Sequence, residues 1–137
     1  MPRRPKTRKR KSGYMYFIAD GISSRMNIEE IVKVVFSKGE SYRRAAYIIL
    51  EEVKRLAAMS GRTTPTYNIT SDEMSEFIKR KFGRRRRSLA YKVLFEFLIP
   101  LGMMKYSPDE KRYFLSREFA LALKRIGDSY LRWLETA

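Results

Sequence analysis

Cysteine, histidine and glutamine are all missing from this 137-residue chain, and asparagine occurs only at Asn27 and Asn68. Without a thiol or an imidazole there is no zinc finger, no thiolate nucleophile, no histidine-activated serine and no ordinary transition-metal site. The seven glycines stand singly, so no phosphate-cradling loop of the GxGxxG or GxxxxGKS type is present. The adjacent carboxylates Glu29-Glu30 and Glu51-Glu52 point apart on a helix and make no acid–base dyad. No apolar run reaches the roughly 20 residues of a transmembrane helix, and no apolar segment follows the basic start in signal-peptide fashion. These absences predict a cytoplasmic protein that is not an enzyme and needs no cofactor or metal. The heavily charged composition, short of thermolabile side chains, points to a thermophilic source of archaeal type.

What is present in excess is positive charge. Lysine and arginine number 30 against 15 acids, a net charge of +15, with 44% hydrophobic residues. The hydrophobic fraction suits one globular core, whereas the charge calls for a polyanionic partner. Its placement is more telling than its size. Residues 1–13 hold Arg3, Arg4, Lys6, Arg8, Lys9, Arg10 and Lys11 and no acid; residues 79–92 hold Lys79, Arg80, Lys81, Arg84, Arg85, Arg86, Arg87 and Lys92 and no acid. The rest of the chain is neutral. A surface charged only for solubility spreads its excess. The first block has nothing to bury, so a disordered arm is expected that follows a phosphate backbone or enters a minor groove. A localisation signal or solubility tail is the bland alternative. It has no amphipathic helix beside it, so no membrane partner is expected.

Residues 14–137 are expected to form one domain. Tyr14–Ala19 is apolar and aromatic, either a short strand or an anchor laid on the core. Asn27 caps a helix with Glu30 in the capping-box position, and Ile28, Ile31, Val32 and Val35 form its stripe. A longer helix over 41–60 carries Tyr42, Ala45, Ala46, Ile49, Val53 and Leu56 and ends at Gly61. Tyr67–Ile69 is a short strand. Thr70 and Glu73 form a second capping box, opening a helix whose stripe is Met74, Phe77, Ile78 and Phe82. Gly83 ends it, because a positive φ costs glycine nothing.

The next helix begins in four arginines. At about 100° per residue, Ala90, Val93, Leu94, Phe97 and Leu101 share one side. Arg84, Arg85, Ser88 and Lys92 lie opposite, and Phe95 and Ile99 fall outward. Pro100 stops the helix and Gly102 turns the chain. Met103–Tyr106 and Arg112–Leu115 then flank a Ser-Pro-Asp-Glu-Lys turn. This order of helix, turn, basic helix and hairpin resembles a winged helix-turn-helix domain, with the helix-turn-helix at 70–99 and the wing at 102–116. The fold class implied is mainly α with a small β-hairpin wing and flanking N- and C-terminal helices; the 41–60 helix is the first of the three core helices. The Arg84–Tyr106 segment is also similar to winged-helix proteins of the small ribosomal subunit.

The winged-helix resemblance implies a transcription regulator or chromatin protein bound to double-stranded DNA; the ribosomal one implies structured RNA. In the DNA case Arg84, Arg85 and Ser88 meet base edges. Lys79, Lys81, Arg87 and Lys92 meet the flanking phosphates, Arg86 and Tyr91 complete the nucleic-acid-binding set, and Lys111 and Arg112 at the wing tip reach the adjacent groove. The last helix, 117–135, is capped by Ser116 and interrupted by Gly127. It spaces Phe119, Leu123, Ile126, Tyr130 and Trp133 by 4, 3, 4 and 3, a heptad seam. Either this seam joins a homodimer or it folds back on the 28–36 helix to complete a monomer.

Overall fold

The computed structural model describes residues 15–37 and 39–136; the expected arm of residues 1–13 lies outside them. The chain is mainly helical, with one three-stranded antiparallel sheet. It clusters into two compact units, one ending at Glu51 and the other beginning at Glu52.

In the first unit, Met15–Ile18 is neither strand nor core. It runs irregularly, with Phe17 49% and Ile18 61% exposed, and the Tyr16 N–H donates to the Val34 carbonyl. A 3-10 turn follows at Ala19–Gly21. Helix α1 spans Ile28–Val35, and its capping box is complete: Asn27 Oδ1 accepts from the Glu30 N–H and Glu30 Oε1 from the Asn27 N–H, each at 2.9 Å. Val32 and Phe36 are buried. Helix α2, Glu40–Met59, crosses from one unit into the other. Its buried positions Ala45, Ala46, Ile49, Val53 and Ala57 recur at helical spacing.

The second unit opens with strand β1, Asn68–Thr70. Helix α3, Ser71–Val93, starts at the Thr70–Glu73 capping box and is broken at Gly83, where φ is 72° and ψ is −176°. That combination is open essentially to glycine alone, so one residue divides α3 into a first limb (71–82) and a second limb (84–93). The first limb buries Met74, Phe77 and Ile78, and the second buries Ala90 and Val93.

The chain then continues as a π-helical turn, Leu94–Leu98, in which the Ile99 N–H reaches the Leu94 carbonyl. The wider turn shifts the register. Leu98 is fully buried in place of the expected Phe97 and Leu101, which are only partly covered. Strands β2 (Met104–Ser107) and β3 (Arg112–Leu115) form the hairpin, and β3 pairs with β1, giving the order β1-β3-β2. The register sets Ile69 beside Tyr113 and Met104 beside Leu115, so one sheet face covers the core.

Helix α4 spans Glu118–Glu135. Arg117 immediately precedes it, and Ser116 Oγ accepts from the Glu118 N–H at 3.2 Å, so the expected serine caps the first turn. Gly127 does not interrupt it, since the helical hydrogen bonds run through. The first turn of α4 is tied to the Gly102 turn by the Phe119 N–H donating to the Gly102 carbonyl at 2.9 Å. Gly102 has φ +87°, and a Cβ there would stand 2.8 Å from the Phe119 nitrogen. No residue of α4 is buried. None of the described helices is long and apolar enough to cross a membrane.

Candidate nucleic-acid interface

The candidate interface is the second limb of α3. Because Gly83 resets the backbone, Arg84, Arg85, Arg86 and Arg87 form the first turn of a new helical segment. All four are exposed, as are Ser88, Lys92, Lys79 and Lys81. Among the described residues, no carboxylate pairs with Lys79 or with any of the four arginines. Their backs are fixed by the buried residues Ala90, Val93, Leu94 and Leu98.

That placement runs against helix electrostatics. The first turn carries unsatisfied N–H groups and the positive end of the macrodipole, where acids are favoured and cations are opposed. The other helices obey the rule: Glu29 and Glu30 open α1, Glu40 opens α2, Asp72 and Glu73 open α3, and Glu118 opens α4. Among the described helices, only the limb after Gly83 stacks four cations on its own positive end. An anion placed there meets side-chain charge, backbone donors and dipole together.

Arg80 is different from its neighbours. It lies 3.5 Å from Glu52, a 7%-exposed carboxylate on α2 that is also hydrogen-bonded by Arg55. The Arg55 hydrogen bond, with help from Lys81 and Arg80, holds the Glu52 carboxyl below the ordinary value despite its burial. Arg80 therefore locks the first limb to α2 within the second unit. Its spacing alone carried no sign of this partner.

The hairpin is held against the start of α3 and against the π-helical turn that follows it. The Ser71 N–H donates to the Lys111 carbonyl, and Lys111 adopts a positive φ of 52° at the hairpin tip. Tyr113 lies between Tyr106, tilted against it at 4.6 Å between ring centres, and Phe95, edge-on at 6.2 Å; Tyr91 in turn stacks on Phe95. Burial, with the nearby Tyr106 and Tyr91 hydroxyls, pushes the Tyr113 hydroxyl up to about 12. Phe95, which the helical wheel turned outward, is thus flanked by the hairpin while remaining 44% exposed. Ile99 lines a shallow depression with Phe95, Met104, Lys105 and Tyr106. Lys105 was missed from the sequence. The two-residue alternation of β2 buries Met104 and so exposes Lys105.

Arg112 does not stand at the tip as expected. It is half-buried at the start of β3, and its guanidinium donates to Asn68 Oδ1 at 3.1 Å. Asn68 is 4% exposed, and its Nδ2 donates to the carbonyls of Arg62, Thr64 and Thr66. Arg112 satisfies the remaining side of that amide, so its charge serves the sheet. Lys111 stays exposed at the tip. The seven basic residues of the arm lie outside the described residues. Of the proposed seam, Phe119 is half-buried, whereas Leu123, Ile126, Tyr130 and Trp133 are exposed.

No protein-family model, no curated protein and no solved structure matches this chain.

Proposed function

We propose that this chain is a winged helix-turn-helix protein that binds double-stranded DNA as a transcription regulator or architectural chromatin protein. The carrying observation is the exposed, acid-free run Arg84–Arg87 at the start of a helical limb whose opposite side is buried. The element order α2, β1, two limbs of α3 and a hairpin, with sheet order β1-β3-β2, supports a winged fold. A rigid helix with a cationic front fits the major groove, where its first residues meet base edges.

In this arrangement Arg84, Arg85 and Ser88 read bases, arginine being suited to guanine O6 and N7. Lys79, Lys81, Arg87 and Lys92 hold phosphates, Lys111 reaches toward the adjacent groove, and the arm of residues 1–13 adds affinity without sequence preference. The test is a pair of variants on a duplex site obtained by selection. Arg85→Ala is expected to cost about 1–3 kcal/mol on the selected site and less on unrelated DNA. Lys79→Ala is expected to weaken both alike, leaving their ratio unchanged. A ratio untouched by Arg85→Ala would remove Arg85 from base reading.

A further inference from the structure

We infer that α4 is the interface of a homodimer, two copies of the helix pairing antiparallel about an axis level with residue 128. Leu123, Ile126, Tyr130 and Trp133 are 40%, 65%, 59% and 66% exposed, and they recur on one side of a continuous helix. Together these four side chains leave on the order of 500–600 Å² in water per copy, so two copies would bury a little over about 1,000 Å², the size at which specific interfaces begin.

Gly127 supplies the second observation. Glycine is disfavoured within a helix, and among the described residues nothing lies within 4 Å of where its Cβ would stand. Packing among the described residues therefore gives no reason for it. A second helix crossing close by does, because two backbones approach nearest where side chains are smallest. Gly127 and Ser129 flank the seam on its two sides at the same level, and Ala120 and Ala122 continue the small borders. The charged residues Lys124, Arg125, Asp128 and Arg132 sit away from the seam, with Lys124 and Asp128 paired at 3.1 Å within the helix.

The direction follows from the register. Antiparallel pairing about residue 128 sets Ile126 against Tyr130 of the second copy and Leu123 against its Trp133. Both layers then use only exposed residues and leave out Phe119, which its own chain half covers. Gly127 meets Gly127 and Ser129 meets Ser129 at the crossing, and the two helix dipoles oppose. This self-matching is a property of a second copy of the same helix.

The inference does not depend on nucleic acid and is tested without it. The full chain is expected to sediment as a dimer at micromolar concentration, and Ile126→Asp as a monomer with an unchanged circular dichroism spectrum. Because the chain has no cysteine, single-cysteine reporters are clean. Leu123→Cys alone and Trp133→Cys alone should fail to cross-link, since like positions lie about 15 Å apart along the axis at 1.5 Å per residue. An oxidised mixture of the two should give the mixed disulfide, recognised by its mass. A monomeric wild-type chain, a dimer that survives Ile126→Asp, unfolding of Ile126→Asp, or cross-linking of each cysteine variant with itself would overturn it.

Discussion

Removing the arginines that open the second limb of α3 should make the protein more stable and a weaker binder at the same time. Consider Arg84→Ala with Arg85→Ala. Both side chains are exposed and pair with no carboxylate among the described residues, so truncation removes no buried packing and no ion pair. It does remove two cations from the positive end of a helical segment, each opposed by about 0.3–1 kcal/mol at low ionic strength, and it relieves repulsion from Arg86 and Arg87. The expected gain is roughly 1 kcal/mol at low salt, shrinking as salt screens exposed charge. For a chain of this size that raises the midpoint by about 2–8 °C. Thermal melts at two salt concentrations, beside titrations of a duplex, give both quantities from one preparation. A lowered melting midpoint would mean that the arginines hold the fold together and that the cationic face has been misread.

Acid should destabilise the protein below the ordinary glutamate value of 4.5. Glu52 is held below it chiefly by the Arg55 hydrogen bond; burial pushes Glu73 up, but the Thr70 N–H and the Arg62 guanidinium outweigh that and bring it down. Both groups bind protons more weakly when folded, so their contribution is complete above about 4.5 and is lost as pH falls through the lowered folded values. Melts from pH 7 to pH 3 should stay level and then fall, and Glu73→Gln should flatten part of that fall; a midpoint that rises on acidification would contradict the assignment. Gly102→Ala should cost more than about 1 kcal/mol, since φ is +87° and the new Cβ would meet the Phe119 nitrogen and the Glu118 Cβ at 2.8 and 2.9 Å; denaturant titration against the wild-type chain measures it. Deleting residues 1–12 should weaken binding to all duplexes alike and flatten the salt dependence, by about 0.9 in the log–log slope for each phosphate that the arm no longer neutralises. Loss of preference for one site would show the arm reading bases.

Local chemistry was legible in the sequence. Both capping boxes, Asn27 with Glu30 and Thr70 with Glu73, stand where the spacing placed them, because a cap depends on residues three apart. Gly83 was visible as a break for the same reason. The register past Leu94 was not. A helical wheel assumes 3.6 residues per turn throughout, and packing of Leu98 into the core selects a π-helical turn that no local preference encodes. Arg80 and Arg112 look like further cations in the sequence, yet their partners Glu52 and Asn68 come from distant positions brought near by folding. Exposure of the α4 stripe was likewise beyond a periodicity argument, which shows that a helix has an apolar side but not what covers it.

The limb headed by Arg84 is proposed to meet duplex DNA, and a competition measures this most directly. The full chain is titrated with a mixed-sequence duplex and with a structured RNA of equal phosphate number, at matched salt and at two salt concentrations. Tighter binding to the duplex is predicted, with affinity falling steeply as salt rises and a shallower fall for the variant lacking Arg84 and Arg85. Equal or tighter binding to the RNA, or a salt dependence indifferent to those two arginines, would contradict it.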